Sequence, residues 1–519
     1  MVTHPVRRPR TLGMVCPPLD GRYAATVGDG GARAAILARL WEALSREPIP
    51  GVAARTVEGD TLVVRLGDGR ELRGPVPEPF TEPAPDLAVA AGGSAYRDPG
   101  GLVRHLGLGE RLAVELDDSV RNLALARAAQ PVPDGGPPAL VRYDAVGLEQ
   151  CVVDGHPVHP LCRTRLGMSE GDVRAYAPEH RPTVALRVYA VPERDWLSTG
   201  AGLPPRLLVH PWQAEHVLDR YPHLRPTGET VPARPLMSLR TVEIGPGWHV
   251  KTAVDVQMTS AVRIVSPAAV RNGPVVSELL ADLGRRAGLG VMREVAAGAV
   301  LVDGQPCRSL AMVRRRAPVP APGTALLPLA VLAAPSPATG APILTEAVRL
   351  GYRGRPLPFA ADLVRLLLPP LLRLLHRGAA LEAHGQNTLV LLRAGRPRRL
   401  WYRDLGGVRL SPKRLRMDLP LYGDLASDEP EVLRTKLFAA LTVVLGELAT
   451  TLTRAYGTDP DDFWRLVAAT LRETAREVPE ATELFGPTLP IKATTAMRLA
   501  EDPIEDVWTT VPNPLAGLR

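Results

Sequence analysis

One stretch of the sequence, LEAHGQNTLVLLR at positions 381–393, joins a nearly apolar helical pattern to a hydrophobic strand. The strand TLVLL is followed by the turn RAGRPR and by a second strand within RLWYRDLGG, so the pattern predicts a β-hairpin. Polar side chains at the entrance of a buried strand are unfavourable unless they have partners. The junction therefore predicts either an exposed helix end or a binding site at the open end of the hairpin.

The hairpin register predicts which side chains meet at that open end. A turn centred near Gly395–Arg396 places Asn387 opposite Asp404, and opposed residues lie about 5 Å apart. The predicted cluster consists of Glu382, His384, Gln386, Asn387 and Asp404. Its oxygen ligands suit Mg²⁺ bound together with phosphate, which makes Glu382, Asn387 and Asp404 the candidate metal ligands. The alternative is a helix C-cap with Gly385 in the left-handed conformation, which we also expect but which does not explain the meeting of Asn387 and Asp404.

The chain has 519 residues, too many for a single hydrophobic core, and its pattern changes along the sequence. We predict an α+β protein in three parts: an N-terminal domain (1–149), a β-rich domain (150–330) and a largely helical domain with the hairpin (331–519). The Pro/Ala-rich segment 317–342 is interpreted as a boundary or an exposed loop. The predicted helices are Ala34–Ser45, Ala360–Ala380, Leu433–Tyr456 and Pro460–Glu473. The predicted strands include Thr61–Arg65, Glu71–Arg73, Val184–Val191, Leu207–Val209, Leu236–Ile244 and Trp248–Met258.

Composition excludes several classes of protein. Aromatic residues make up 4% of the chain and no basic block is interleaved with them, which argues against a nucleic-acid partner. The most apolar segments are interrupted by Pro, Arg or Glu, so none is expected to span a membrane. The N-terminal MVTHPVRRPRTLG lacks the apolar core of a signal peptide. The cysteines, Cys16, Cys151, Cys162 and Cys307, show no metal-binding spacing, and we expect free thiols in a cytoplasmic protein.

A second group of polar residues lies in LMSLRTVEIGPGWHVKTAVDVQMTSAVRIVS, at 236–266. Its candidates for an anion cradle are Ser238, Arg240, Thr241, Lys251, Thr259, Ser260 and Arg263. Arginine offers a planar fork to phosphate or carboxylate and lysine a point charge. The alternative is the solvated face of an antiparallel sheet. The segment GPGWHVKT is not a phosphate-binding loop, because Val250 stands where the second glycine is required.

A third group lies in DGHPVHPLCRTRLGMS, at 154–169. His156, His159, Arg163 and Arg165 fit a loop that recognises carboxylates. Zinc is disfavoured because each histidine precedes a proline and no third nitrogen or sulfur ligand follows at a usual spacing. In VHPWQ, His210 and Gln213 stand at a helix entrance, where a structural and a functional role are equally compatible with the sequence.

These stretches, in this order, resemble the siderophore synthetases that are independent of nonribosomal peptide synthetases, the aerobactin-synthetase (IucA/IucC) type. The motifs that carry the resemblance are GHPVHPLCRTRLG, VHPWQ, SLRT, QMTSAVR, EAHGQNTLV, YRDLGG and PIKATTAMRL. They extend from about Val152 to the C-terminus. Arg163 departs from the pattern, since lysine is expected there.

The resemblance implies a thumb, fingers and palm fold with ATP and Mg²⁺ between fingers and palm. It implies that a di- or tricarboxylic acid attacks the α-phosphate of ATP, and that an amine, hydroxylamine or alcohol then attacks the acyl-adenylate and releases AMP. The implied ATP-binding residues are Ser238, Arg240, Thr241, Lys251, Thr259, Arg263, Glu382, His384, Gln386, Asn387 and Asp404. Arg263, His384 and Lys251 would be catalytic, and the implied carboxylate contacts are His156, His159, Arg163, Arg165 and Arg263. A homodimer is also implied.

Two other functions fit parts of the sequence. Kinase-like phosphotransferases also place a His-containing loop and an Asn before a hairpin that ends in a metal-binding Asp. They need a catalytic Asp in that loop, where this chain has Gln386. A non-catalytic iron-handling protein is disfavoured, because the cysteines are scattered and no ligand cluster is visible. The sequence leaves open which acid and which nucleophile would react.

Overall fold

The computed structural model describes residues 29–418, 420–502 and 505–519, and its first region packs helices against a β-meander. The predictions for Cys16 and for the N-terminal segment lie outside the described residues. The helices of this region are α1 (Asp29–Arg46), α2 (Pro99–Leu106), α3 (Glu110–Ala128), α4 (Ala139–Arg142) and α5 (Ala145–Glu149). Its strands, β1 (Val52–Glu58), β2 (Thr61–Leu66), β3 (Glu71–Pro75), β4 (Val89–Ala91) and β5 (Ser94–Tyr96), form one antiparallel sheet in chain order. The predicted helix and both predicted strands are confirmed.

The second region is built on an eight-stranded sheet in the order β8-β16-β17-β12-β11-β10-β7-β9. The strands of the region are β6 (Arg165–Leu166), β7 (Val184–Ala190), β8 (Trp196–Gly200), β9 (Arg206–Val209), β10 (Arg225–Pro235), β11 (Thr241–Gly245), β12 (Trp248–Thr252), β13 (Val254–Met258), β14 (Ala261–Arg263), β15 (Leu289–Val291), β16 (Glu294–Val302) and β17 (Gln305–Arg316). Its helices are α6 (Glu170–Tyr176), α7 (Pro211–His216) and α8 (Pro267–Ala287).

Two predicted strands of this region need correction. Residues 236–240 of the predicted strand Leu236–Ile244 form a turn, in which the Thr241 N–H donates to the Ser238 carbonyl at 2.9 Å. The predicted strand Trp248–Met258 divides at Ala253 into β12 and β13, which belong to different sheets. β13 pairs with β14 and β6 in a small three-stranded sheet. The break redirects the chain, so that the segment 259–263 faces the end of the large sheet.

The third region is largely helical, as predicted. Its helices are α9 (Ile343–Tyr352), α10 (Pro356–His376), α11 (Pro412–Leu415), α12 (Pro430–Tyr456), α13 (Pro460–Thr474) and α14 (Thr494–Leu499). Its strands are β18 (Thr324–Pro328), β19 (Ala379–Ala380), β20 (Thr388–Arg393), β21 (Arg396–Tyr402), β22 (Arg409–Leu410), β23 (Thr488–Lys492) and β24 (Trp508–Pro512). The interpretation of 317–342 as an exposed loop is wrong for β18, which is mostly buried and pairs with β20. The hairpin thus lies inside a four-stranded sheet, β15-β21-β20-β18.

The hairpin is confirmed, but its register differs from the prediction by one residue. The turn consists of Ala394 and Gly395, both in the left-handed region with φ of 49° and 75°. A bulge between Leu391 and Leu392 then shifts the pairing, and the Arg403 N–H donates to the Asn387 carbonyl at 3.0 Å. Asn387 therefore lies opposite Arg403. The prediction missed this register because neither the turn position nor the bulge has an obvious local signal in the sequence.

The helix before the hairpin ends earlier than predicted. α10 finishes at His376, and Gly378, with φ of 100°, takes the left-handed conformation that was predicted for Gly385. The α+β class is confirmed. No helix in the described ranges is long and apolar enough to cross a membrane.

Contacts between the ends of the chain hold the first and third regions together. A carboxylate oxygen of Glu47, at the end of α1, accepts the backbone N–H groups of Thr495 and Ala496 at 2.8 Å each. This caps α14 with a negative charge at its positive end. Buried Arg498 of α14 pairs with Glu115 of α3.

Candidate active site

Three cations gather where the large sheet meets the end of the hairpin. Lys251, on β12, donates to both carboxylate oxygens of Asp404, at 2.9 and 3.1 Å. Arg240 donates to the Ile264 carbonyl, and Arg263 donates through Nε to the Met258 carbonyl at 3.1 Å. Within the described chain, neither arginine has a carboxylate within ion-pair distance. The structure therefore brings together the predicted anion cradle and the predicted hairpin acid.

Local backbone geometry places these side chains. Thr241 pairs with Lys251 across β11 and β12, and both are more than nine-tenths buried, which contradicts the alternative of a solvated sheet face. Thr259 has a positive φ of 58°, and its hydroxyl accepts a hydrogen bond from Arg263. A threonine in this region is strained, and such strain is found where surrounding contacts fix a functional loop. Ser238 lies in the preceding turn, partly buried.

The charges of this cluster are strongly unbalanced. Burial lowers the pKa of Lys251 and of Arg263, and burial together with Arg263 lowers the pKa of Arg240 to about 10. Burial acts to raise the pKa of Asp404, but Lys251 and Arg315 outweigh it and hold that pKa well below its usual range. Buried like charges at close range repel one another unless an anion joins them. The cluster is thus suited to an anionic ligand.

Three histidines line the same space. The ring of His156 lies 6.3 Å from that of His384 and 6.4 Å from that of His159. His159 Nδ1 accepts the Leu161 N–H at 3.1 Å, so the proton of the neutral ring is on Nε2, which faces the Ser260 hydroxyl at 2.7 Å. Burial lowers the pKa of all three, that of His156 to about 3 with a further contribution from His384. They are neutral at physiological pH and can donate or accept hydrogen bonds.

The predicted metal ligands do not form a metal site of three protein side chains. Glu382 lies 2.7 Å from Lys492 Nζ and 3.2 Å from Lys436 Nζ, and both lysines also reach Asp506 at 2.9 Å. This square of alternating charges occupies the Glu382 carboxylate and lowers its pKa against the effect of burial. No group of three or more His, Cys, Asp or Glu side chains suited to a metal occurs in the described ranges.

The amide side chains of the hairpin entrance contact the histidine instead. The Asn387 amide lies 3.2 Å from His384 Nε2, and the Gln386 N–H donates to His384 Nδ1 at 3.3 Å. The Gln386 carbonyl accepts a hydrogen bond from Arg403, which pairs with Glu149 at 2.6 Å. These contacts within its own loop orient the His384 ring. Asp404, at the end of the hairpin, pairs with Lys251 and so links this loop to the cation cluster and not to Glu382.

Two predicted carboxylate-binding residues are corrected. Arg163 donates to the Val153 and Val152 carbonyls at 2.6 Å each and lies 3.5 Å from Glu179. Arg165 pairs with the same Glu179 at 2.6 Å, and all three side chains are buried. Burial acts to raise the pKa of Glu179, but the two arginines outweigh it and lower it to about 2. Both guanidinium groups therefore have an ion-pair partner within the fold, which disfavours the prediction that they act as forks for a substrate.

The remaining candidates have structural partners. His210 is buried at the start of α7 and accepts the Trp212 N–H at 3.2 Å. Gln213 donates to Asp255 and to the Ser309 carbonyl at 3.0 Å each. Cys151, Cys162 and Cys307 are free, as predicted. Gln213 therefore has structural partners, whereas His210 Nε2 is buried without a hydrogen-bond partner among the described residues.

Sequence reasoning missed four charged residues near the site. Arg315 on β17 is 3% exposed, acts on the pKa of Asp404 and lies 3.2 Å from Glu294. Lys436, Lys492 and Asp506 form the square around Glu382. Only Lys492 had a signal, since it lies in the PIKATTAMRL motif. The others come from distant elements and have no local pattern.

The fold is shared with proteins of siderophore biosynthesis. The petrobactin biosynthesis protein AsbB from Bacillus anthracis str. Sterne superposes with a TM-score of 0.80 at 19% identity, covering 96% of this chain and 98% of that chain. ATP-bound aerobactin synthetase IucA from Klebsiella pneumoniae gives a TM-score of 0.77 at 20% identity, covering 93% and 99%. These similarities show a fold of the siderophore-synthetase class.

Sequence comparison adds matches to family models and to relatives. Residues 144–202 and 206–334 match the IucA / IucC family model. Residues 358–505 match the ferric iron reductase FhuF-like transporter model, although this segment contains no cysteine. Staphyloferrin A synthase of Staphylococcus aureus (strain NCTC 8325 / PS 47) is 29% identical over 68% of this chain and 69% of its own length. D-ornithine–citrate ligase of the same strain is 22% identical over 71% and 69%.

Proposed function

We propose that the chain is an ATP-dependent ligase that adenylates a carboxylate of a di- or tricarboxylic acid. An amine, hydroxylamine or alcohol then takes the acyl group, and AMP and pyrophosphate are released. The observation that carries this proposal is the cluster of Arg240, Lys251 and Arg263, in which, among the described residues, only Lys251 forms an ion pair, with Asp404. The match to the family model and the name of the D-ornithine–citrate ligase support an acid of the citrate type.

The proposed reaction brings one anion onto another. The carboxylate oxygen attacks the α-phosphorus of ATP, the bond to the β-phosphate oxygen breaks, and pyrophosphate leaves with that electron pair. The residues assigned to the phosphates are Ser238, Arg240, Thr241, Lys251, Thr259, Arg263 and His384. Fixed cations stabilise the charge of both reactants and hold them in line without reorganisation during the reaction. No covalent enzyme intermediate is required.

The acid would lie beside the histidines. His159 has its Nε2 proton directed to Ser260, and His156 stands between His159 and His384. Neutral imidazoles donate hydrogen bonds to carboxylates without adding to the buried positive charge. Arg263, which lacks a carboxylate partner in the described chain, supplies the cation on this side. Arg163 and Arg165 have no place in the proposal, because Glu179 binds both.

ATP and Mg²⁺ are proposed as the cofactors. Mg²⁺ commonly takes one or two protein carboxylates and completes its shell with phosphate oxygens and water. Asp404, which pairs with one lysine, is a better candidate for such a ligand than Glu382, which pairs with two. When bound, the ion would neutralise phosphate charge. A homodimer and a cytoplasmic location remain predictions.

A pyrophosphate-release assay tests the proposal. The purified chain is incubated with ATP, Mg²⁺ and a panel of di- and tricarboxylic acids, each paired with polyamines, hydroxylated diamines and amino alcohols. We expect acid-dependent pyrophosphate and AMP, and loss of both in Arg263→Ala and in His384→Ala. Arg472→Ala, on the exposed face of α13, is the matched control.

The products also decide between the two enzymatic alternatives. None of the relatives named above is a kinase, and the loop position where a kinase needs Asp holds Gln386. ADP formation without AMP would overturn the ligase. Unchanged turnover in either the Arg263 or the His384 variant would overturn the assignment of the site.

A further inference from the structure

A cavity of about 390 Å³ lies beside the candidate site, between the first region and α12. Its walls come from α1, from the loop 75–87, from the loop that precedes Val158 and from α12. Phe80, in the loop, has a positive φ of 64° and packs on Gly446, where an added Cβ would lie 2.5 Å from the ring. The volume is in the range of small-molecule sites, roughly 300 to 1,000 Å³.

The lining is predominantly acidic. Its charged side chains are Glu42, Glu78, Glu82, Asp154 and Glu447 against Arg39 and Arg454. Arg46 pairs with Glu42, and Arg127 pairs with Glu82 at 3.0 Å and with Asp154 at 2.5 Å. In the part of the chain that the structure describes, no cation lies within ion-pair distance of the Glu447 carboxylate, even though its side chain lies mostly out of solvent.

The environment of Glu447 agrees with a missing positive partner. Burial raises the pKa of Glu447 to about 7, and the more distant Arg39 and Arg454 offset only part of that effect. A buried carboxylate is costly unless it is paired. A ligand that carries a positive charge would supply the partner that Glu447 lacks among the described residues.

The cavity and the candidate site share one wall. Asp154, Gly155 and Pro157 line the cavity, while the ring of His156 between them points to the other side, 6.3 Å from His384. Arg39 fixes this wall from the cavity side by donating to the Pro157 carbonyl at 3.1 Å and to the Asp154 carbonyl at 3.2 Å. A molecule that binds in the cavity and extends past this loop would reach an acyl group held by the histidines.

We infer that this cavity binds the nucleophile of the proposed reaction, that the nucleophile carries at least one ammonium group, and that Glu447 receives that group. The inference rests on the proposed function and narrows it from amines, hydroxylamines and alcohols to cationic amines such as diamines, polyamines or diamino acids. The apolar ring of Phe80 and the indole of Trp41 also line the cavity, where they would contact the methylene groups of such an amine. The anionic acid and ATP are directed to the cation cluster, so opposite charges separate the two substrates.

The test separates the two half-reactions. Carboxylate-dependent exchange of labelled pyrophosphate into ATP reports adenylation alone. Condensation is measured with a diamine from the active panel and, separately, with free hydroxylamine, which is small and uncharged at neutral pH. For Glu447→Gln we expect exchange and hydroxamate formation within twofold of the unmodified chain, and a rise of at least tenfold in the KM for the diamine. Glu473→Gln, an exposed glutamate on α13, is the matched control and should change none of these values.

A second variant tests the cavity independently of charge. Ala84 lies in the exposed part of the loop that lines the cavity, and Ala84→Trp should raise the diamine KM and leave pyrophosphate exchange intact. An unchanged diamine KM in both variants, with exchange intact, would overturn the inference and leave the proposed ligase in place. Absence of exchange with every acid in the unmodified chain would instead overturn the proposed function.

Discussion

Two pairs of arginines, one buried and one partly buried, differ in whether the fold supplies them with a carboxylate. Arg163 and Arg165 both pair with Glu179, and Arg163 also donates to the Val153 and Val152 carbonyls. Arg240 and Arg263 lie near a carboxylate that Lys251 already binds. The first group is complete within the chain, whereas the second has more positive charge than the chain balances. A buried cation is evidence for a ligand only when the fold has left it without an anion.

The largest effect on stability is expected when the ion pairs of Glu179 with Arg163 and Arg165 are broken. Glu179→Ala would leave Arg163 and Arg165 buried without their carboxylate, which costs about 3 to 5 kcal/mol of unfolding free energy. Urea unfolding measures this change. Glu170→Ala removes an exposed pair with Arg174 and should cost no more than about 1 kcal/mol. A small loss in the Glu179 variant would mean that the two arginines are not held by that carboxylate.

For the cluster of Arg240, Lys251 and Arg263 we expect the opposite pattern, a small change in stability and a large loss of ATP affinity. Lys251→Met removes one of several crowded cations but also the ion pair with the partly exposed Asp404, so the unfolding free energy should fall by less than in Glu179→Ala. The Kd for ATP should rise by a factor of about 10 to 100, since a charge-assisted contact to phosphate is lost. Arg165→Met is the reciprocal variant, with reduced stability and unchanged ATP affinity in the folded fraction. Equal effects of the two substitutions on ATP affinity would remove the distinction between the groups.

The sequence predicted much of the architecture and less of the contacts. The long apolar helices, the central strands and the hairpin follow from periodicity and turn residues, and the structure confirms them. The residue types of the cradle were also recognised, and Lys251 and Asp404 do meet. These successes depend on short-range patterns that a single chain displays directly.

The failures depend on long-range pairing. The turn lies one residue earlier than predicted, and together with the bulge at Leu391–Leu392 it places Asn387 opposite Arg403 instead of Asp404. Glu179 is 14 residues from Arg165, and Lys436 and Asp506 reach Glu382 from other elements. A donor's partner in the folded state has no signature in the donor's own segment. The sequence therefore identifies charged residues reliably, but it does not show which of them have a partner of opposite charge in the folded chain.

His156 makes the stability of the protein depend on pH. Burial, with a contribution from His384, lowers the pKa of His156 to about 3, whereas the unfolded chain titrates near 6.5. The folded state binds fewer protons, so its stability is full above pH 6.5 and falls as the pH decreases toward 3. By pH 5 the loss from this residue reaches about 2 kcal/mol. In His156→Gln, urea unfolding at pH 7 and pH 5 should show a correspondingly smaller decline, and an unchanged decline would contradict a neutral buried His156.

Glu447 is the acidic counterpart of the unbalanced cations, and its removal should stabilise the protein slightly. Burial raises its pKa to about 7 in the folded state, above the ordinary value of 4.5. The folded state therefore binds the proton more tightly, and the contribution of Glu447 to stability is favourable below pH 4.5 and is lost as the pH rises through 7. Glu447→Gln should raise the unfolding free energy at pH 8 by roughly 1 kcal/mol, allowing for solvent screening, and leave it unchanged near pH 4.5. A diamine at saturating concentration should raise the stability of the unmodified chain more than that of the variant, because only the carboxylate attracts the ammonium group. Equal stabilisation of both by the diamine would place this carboxylate with the self-sufficient charges, as Glu179 is.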